Sequence, residues 1–118
     1  MRHHNANRKL GRGKRVRVAL LRSLARSLVL TEGIVTTTAK AKALRPFVER
    51  LITASKSGTV ASRRVIATRM GGAPDVVKKL HETLAPRFKD RAGGYTRIVL
   101  LGRTGKRAIE SARIELVK

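Results

Sequence analysis

Apolar residues recur at helical spacing in the first third of the chain. Leu20, Leu21, Leu24 and Leu28 gather on one side of a helix, and Arg15, Arg22 and Arg26 fall on the other. The pattern predicts an amphipathic helix over about 15–31, with one face in a core and a positive stripe on the opposite face. Gly33, tolerant of the left-handed conformation, is placed to end it. Residues 34–38 read IVTTT, β-branched at every position, and predict a short strand. Thr38 then stands where it can cap a second helix over about 39–56, whose apolar face is Leu44, Phe47, Val48, Leu51 and Ile52. Pro46 lies inside that pattern, where it removes a backbone donor and crowds the preceding turn, so a kink or a break is expected, and the apolar periodicity argues for a kink.

Thr59 can cap a shorter helix to about residue 69 that carries Arg63 and Arg64, and Gly71-Gly72 separates it from the next element. Pro74 and Asp75 suit the first turn of a further helix with Val76, Val77, Leu80 and Leu84 on its core face, ended by Pro86. Two strands follow, about 95–101 and 108–117, joined by a basic hairpin over 102–107. In the last strand Ala112, Ile114 and Leu116 alternate with Arg113 and Glu115, as a half-buried antiparallel strand requires. The expected fold is α+β: several helices packed on a small three-stranded mixed sheet, residues 15–118 forming a single globular domain.

Composition adds what the pattern leaves out. The chain of 118 residues holds 28 Lys and Arg against 7 Asp and Glu, a formal net charge of +21. Such a molecule repels itself unless a polyanion supplies countercharge, and nucleic acid is the natural candidate. Residues 1–17 contain seven basic residues and no acid, and the opening stretch has almost no large apolar side chain. Residues 1–14 therefore read as an extended basic arm, ordering on an RNA partner through Arg8, Lys9, Arg12 and Lys14. The body offers Arg15, Arg22 and Arg26, then Arg63 and Arg64, and a hairpin tip with Arg103, Lys106 and Arg107. Arg91 and Arg97 flank two glycines and Tyr95, a segment that reads equally as a strand-entry turn or as a direct nucleic-acid contact.

Enzyme chemistry finds little support. The acids sit at ordinary helix ion-pair spacings, Glu49 four after Arg45, Asp75 four before Lys79 and Glu82 four after Lys78, and Glu110 and Glu115 alternate onto different faces of a strand. Convergent carboxylates for a metal-dependent nuclease are thus missing from the pattern. Cysteine is absent, and the three histidines, His3, His4 and His81, show no ligand spacing, with His81 read as a helix-surface residue. No catalytic residue, metal, cofactor or small-molecule substrate is expected, and no apolar run is long enough to span a membrane. Only three aromatic residues are present, Phe47, Phe88 and Tyr95, so base stacking is a minor source of affinity beside phosphate neutralisation and shape reading of folded RNA. A DNA-compacting architectural protein is the rival, but its apolar wedges on exposed ribbons and its dimer face are not seen in the pattern.

Three stretches together resemble the bacterial large-subunit ribosomal protein seventeen family: Met1-Arg2-His3 with the basic arm to Arg15; Ile34 to Lys42, continuing through Glu49, Leu51-Ile52-Thr53 and Lys56; and Arg91 to Ile98. The resemblance covers nearly the whole chain. It implies a non-enzymatic structural constituent of the large ribosomal subunit, cytoplasmic and ribosome-bound, that binds and stabilises large-subunit ribosomal RNA near the polypeptide exit tunnel beside other large-subunit proteins. It further implies RNA contacts for Arg2 and His3, for Lys40 and Lys42, and for the segment Arg91 to Arg97.

Overall fold

A computed structural model describes residues 10, 13–105 and 109–118. Its elements, in chain order, are α1 (Lys14–Thr31), β1 (Gly33–Thr37), α2 (Thr38–Ser55), α3 (Val60–Met70), α4 (Pro74–Lys79), a π-turn (Leu80–Leu84), α5 (Ala85–Arg87), β2 (Thr96–Thr104) and β3 (Ile109–Leu116). The fold is α+β as expected. The sheet, however, is antiparallel throughout rather than mixed, with order β1-β3-β2. The chain's last strand lies in the middle: β2 meets it through the hairpin, and β1 pairs with its other side, Ile34 opposite Ile114. Ala112, Ile114 and Leu116 point from this central strand into the core, against Leu44, Val48, Leu51 and Ile52 of α2 and Leu28 and Val29 of α1. Leu101 is an extra residue in β2, a bulge between Leu100 and Gly102.

Local chemistry explains most of the boundaries. Thr59 accepts a hydrogen bond from the Ser62 amide at 3.1 Å, capping α3 as its position predicts. For α2 the cap is Thr37, which accepts from the Lys40 amide at 3.3 Å, not Thr38, which is already helical. α2 runs unbroken through Pro46, because its buried face holds both halves against the sheet. Pro86 does not end its helical run either. The π-turn before it, closed by the Ala85 amide on the Leu80 carbonyl, widens the coil where the proline ring would otherwise crowd the preceding turn.

The demotion of Thr38 has a measurable consequence. Its Oγ1 is buried without a hydrogen-bond partner among the described residues. A buried unsatisfied hydroxyl costs free energy that an isosteric methyl does not. Thr38→Val is therefore expected to stabilise the protein by about 1 kcal/mol, read as a higher urea midpoint at unchanged slope.

The turn from α1 into β1 also departs from expectation. Glu32, not Gly33, takes the left-handed conformation, at φ 68°. That is an uncommon place for a side chain, and this one is held by its surroundings. Its carboxylate pairs with Arg87 and with Lys79 at 3.2 Å, while its carbonyl accepts the Leu116 amide at 2.9 Å. Gly33 begins β1, and its bare Cα makes room for the Arg113 side chain lying over it.

The Arg87 hydrogen bond, aided by Lys79 and opposed by partial burial, pulls the Glu32 carboxyl down from 4.5 to about 2. A depressed folded-state value means stability present above the ordinary carboxylate range and lost as pH falls toward 2. With the side chain about a third exposed, screening reduces the effect to about 1–2 kcal/mol. Glu32→Gln is expected to lower the melting temperature at pH 7, and the two melting curves should converge between pH 5 and pH 2.

Candidate nucleic-acid interface

The structure sorts the basic residues into those that hold the fold and those that face outward. On α1, Lys14 and Arg15 are exposed. Arg22 reaches across to α3, its Nε donating to the Arg69 carbonyl at 2.8 Å and so capping the end of that helix. Arg26 pairs with Asp75 at 2.6 Å, which fastens α1 to the start of α4. The expected stripe is real, but two of its three guanidinium groups are spent on tertiary contacts. Asp75 and Lys79, expected to pair within one helix, instead pair with Arg26 and Glu32. The Arg45–Glu49 pair is present at 3.8 Å.

Lys42, on the exposed side of α2, and Arg103, on the hairpin, line one hollow of about 180 Å³ together with Glu110. Residues 61 apart in sequence thus meet at the root of the ribbon. Lys40 is half-buried beside the cap. Arg63 and Arg64 project from α3 into solvent, without a side-chain partner among the described residues. Arg2, His3, Arg8, Lys9, Arg12, Lys106 and Arg107 lie outside the described residues, and so does all of the proposed arm but Leu10, Gly13 and Lys14.

Tyr95 needs correcting. Its ring is 1% exposed and packs on Phe88 at 5.0 Å between centroids, so it cannot stack on a base. Its hydroxyl lies 3.1 Å from Thr53 Oγ1 and accepts from Lys56 Nζ at 3.1 Å. Lys56 also donates to the Arg91 carbonyl at 2.6 Å. The glycine-bearing segment is therefore a strand-entry turn pinned from below, leaving Arg91 exposed above it. Arg97 sits at the start of β2, where Glu115 binds both it, at 2.8 Å, and Arg113, at 3.3 Å. The Arg97 hydrogen bonds, seconded by Arg113, hold the Glu115 carboxyl below its ordinary value. Two cations on one carboxylate leave the open sheet face positive.

Other features were hidden from sequence reading. Arg50 and Arg69 line a cleft of about 530 Å³ between α2, α3 and the Gly93 turn. Arg50 was discernible as the polar side of α2; its partner in the cleft was not. Leu100, Leu101 and Ile109 are exposed along the ribbon, so the apolar ribbon residues missing from the pattern do exist. His81 is half-buried rather than superficial: Nδ1 lies 3.0 Å from the Val77 carbonyl and Nε2 3.3 Å from Ser62 Oγ, joining α4 and the π-turn to α3. Among the described residues no group of His, Asp and Glu is placed to hold a metal ion, and no helix is long and apolar enough to cross a membrane.

An α+β body in which Glu32, Glu49, Asp75 and Glu115 are tied to neighbouring cations, and whose surplus cations face outward from several elements, fits the class of basic structural proteins of ribonucleoprotein particles. The match that makes this particular is to Ribosomal protein L17, over residues 20–117. Large ribosomal subunit protein bL17 of Gemmatimonas aurantiaca is 49% identical over 117 residues, covering 99% of this chain and 98% of its own. That of a Hydrogenobaculum species is 51% identical over 121 residues and covers all of both chains, and that of Solibacter usitatus is 51% identical over 99% of this chain and 77% of its own. The chain belongs to the ribosomal protein L17 family. It is a structural, non-enzymatic constituent of the large ribosomal subunit, bound to the ribosome in the cytoplasm.

Proposed function

We propose that this protein binds large-subunit ribosomal RNA and stabilises its folded form near the polypeptide exit tunnel. The observation that carries the reading is the division of labour among the cations. Arg22, Arg26, Lys79 and Arg87 are consumed by the fold. Lys14, Arg15, Lys42, Arg63, Arg64, Arg91 and Arg103 are exposed on several elements, where phosphates of packed RNA helices can reach them. Residues 1–14 act as the arm, entering between RNA helices and neutralising their mutual repulsion. Tyr95 has no part in the contact; its role is to hold the Arg91 turn from beneath. The exposed Leu100, Leu101 and Ile109 suit a neighbouring large-subunit protein better than a phosphate backbone.

A salt titration tests the proposal. Filter binding to protein-depleted large-subunit ribosomal RNA should weaken steeply with salt, and competition by duplex DNA of equal length should be poor. Equal affinity for the DNA at every salt concentration would contradict it and favour a DNA-compacting role.

A further inference from the structure

Between α3, α4 and the π-turn runs a groove of about 630 Å³, within the range of about 300–1,000 Å³ that small-ligand sites occupy. Val60, Ala67, Pro74 and Val77 give it an apolar lining, and Arg63, Arg64 and Lys78 stand along it. None of these three cations has a side-chain partner among the described residues. The single carboxylate in the lining is Glu82, carried by the π-turn, a helix irregularity found often at functional sites. Three free cations against one acid around an apolar surface match one kind of occupant: a group with a flat apolar face and an anionic tether.

We infer that this groove receives one unpaired nucleotide of the ribosomal RNA, its base against the apolar lining and its flanking phosphates on Arg63, Arg64 and Lys78. The inference rests on the RNA-binding reading above and assigns it a specific pocket. Unstacked bases in loops are the usual targets of selective RNA recognition. In a protein whose one tyrosine is buried, an aliphatic floor with guanidinium planes beside it takes the place of an aromatic platform. Glu82 can accept a hydrogen bond from an exocyclic amine, which adenine, cytosine and guanine carry and uracil lacks.

Val60→Asp tests this with little risk to the fold. Val60 is 65% exposed and is the first residue of α3, where an acidic side chain favours the helix. The probe is protein-depleted large-subunit ribosomal RNA bound to the full-length chain, read by filter binding and by base-specific chemical footprinting; unchanged melting confirms folding. Val60→Asp is expected to weaken binding about tenfold and to expose one unpaired A, C or G that the wild type protects, leaving the other protections intact. Arg63→Gln with Arg64→Gln should expose the same nucleotide. If wild type and Val60→Asp give the same affinity and footprint, the groove assignment is wrong while RNA binding stands. If the wild type itself does not bind the RNA, the functional reading and the groove assignment fail together.

Discussion

Tyr95→Ala should lower the unfolding free energy by about 3–5 kcal/mol, a large fraction of the stability of a domain this size. The ring is the largest fully buried side chain, and removing it strips Phe88 of its neighbour and leaves a void under β2. The hydroxyl adds a smaller term. Tyr95→Phe removes the partner of Thr53 and Lys56 and should cost about 1 kcal/mol, because both of those groups can turn to water. Urea denaturation measures both variants. The functional readout separates this account from base stacking: Tyr95→Phe should keep ribosomal-RNA affinity within about twofold, and mild destabilisation is the only change expected.

Deleting residues 1–13 removes four cations, Arg2, Arg8, Lys9 and Arg12, and should produce the largest loss of binding. Each phosphate neutralised contributes about 0.7–0.9 to the salt slope, so the slope should fall by about 3 and affinity by about 100-fold at moderate salt. Stability should hardly move, because the buried cluster among the described residues runs from Ala25 to Leu116. An unchanged salt slope, or a collapsed melting transition, would show that the arm and body are not the separate parts proposed.

Legibility followed the range of the forces involved. The α3 cap at Thr59 and the alternation of Ala112, Ile114 and Leu116 were readable because neighbours a few residues apart decide them. Glu32 was not: what keeps it left-handed is a pair of cations 47 and 55 residues away. Likewise Arg15, Arg22 and Arg26 are equivalent on a helical wheel. Only the packing of α3 and α4 against α1 turns the second into a helix cap and the third into an ion pair, leaving the first exposed. Tyr95, set among glycines and arginines, carried the local signature of a contact residue, and its burial depends on Phe88 and α2. The amount of positive charge could be counted from the sequence, but its arrangement needed tertiary structure.

The central claim, that this basic surface serves ribosomal RNA of the large subunit, meets its most direct test in a density gradient of cell lysate. At low salt the protein should sediment entirely with large subunits and whole ribosomes, and rising lithium chloride should release it. Sedimentation apart from the large subunit at low salt, whether free or with chromosomal DNA, would contradict the account.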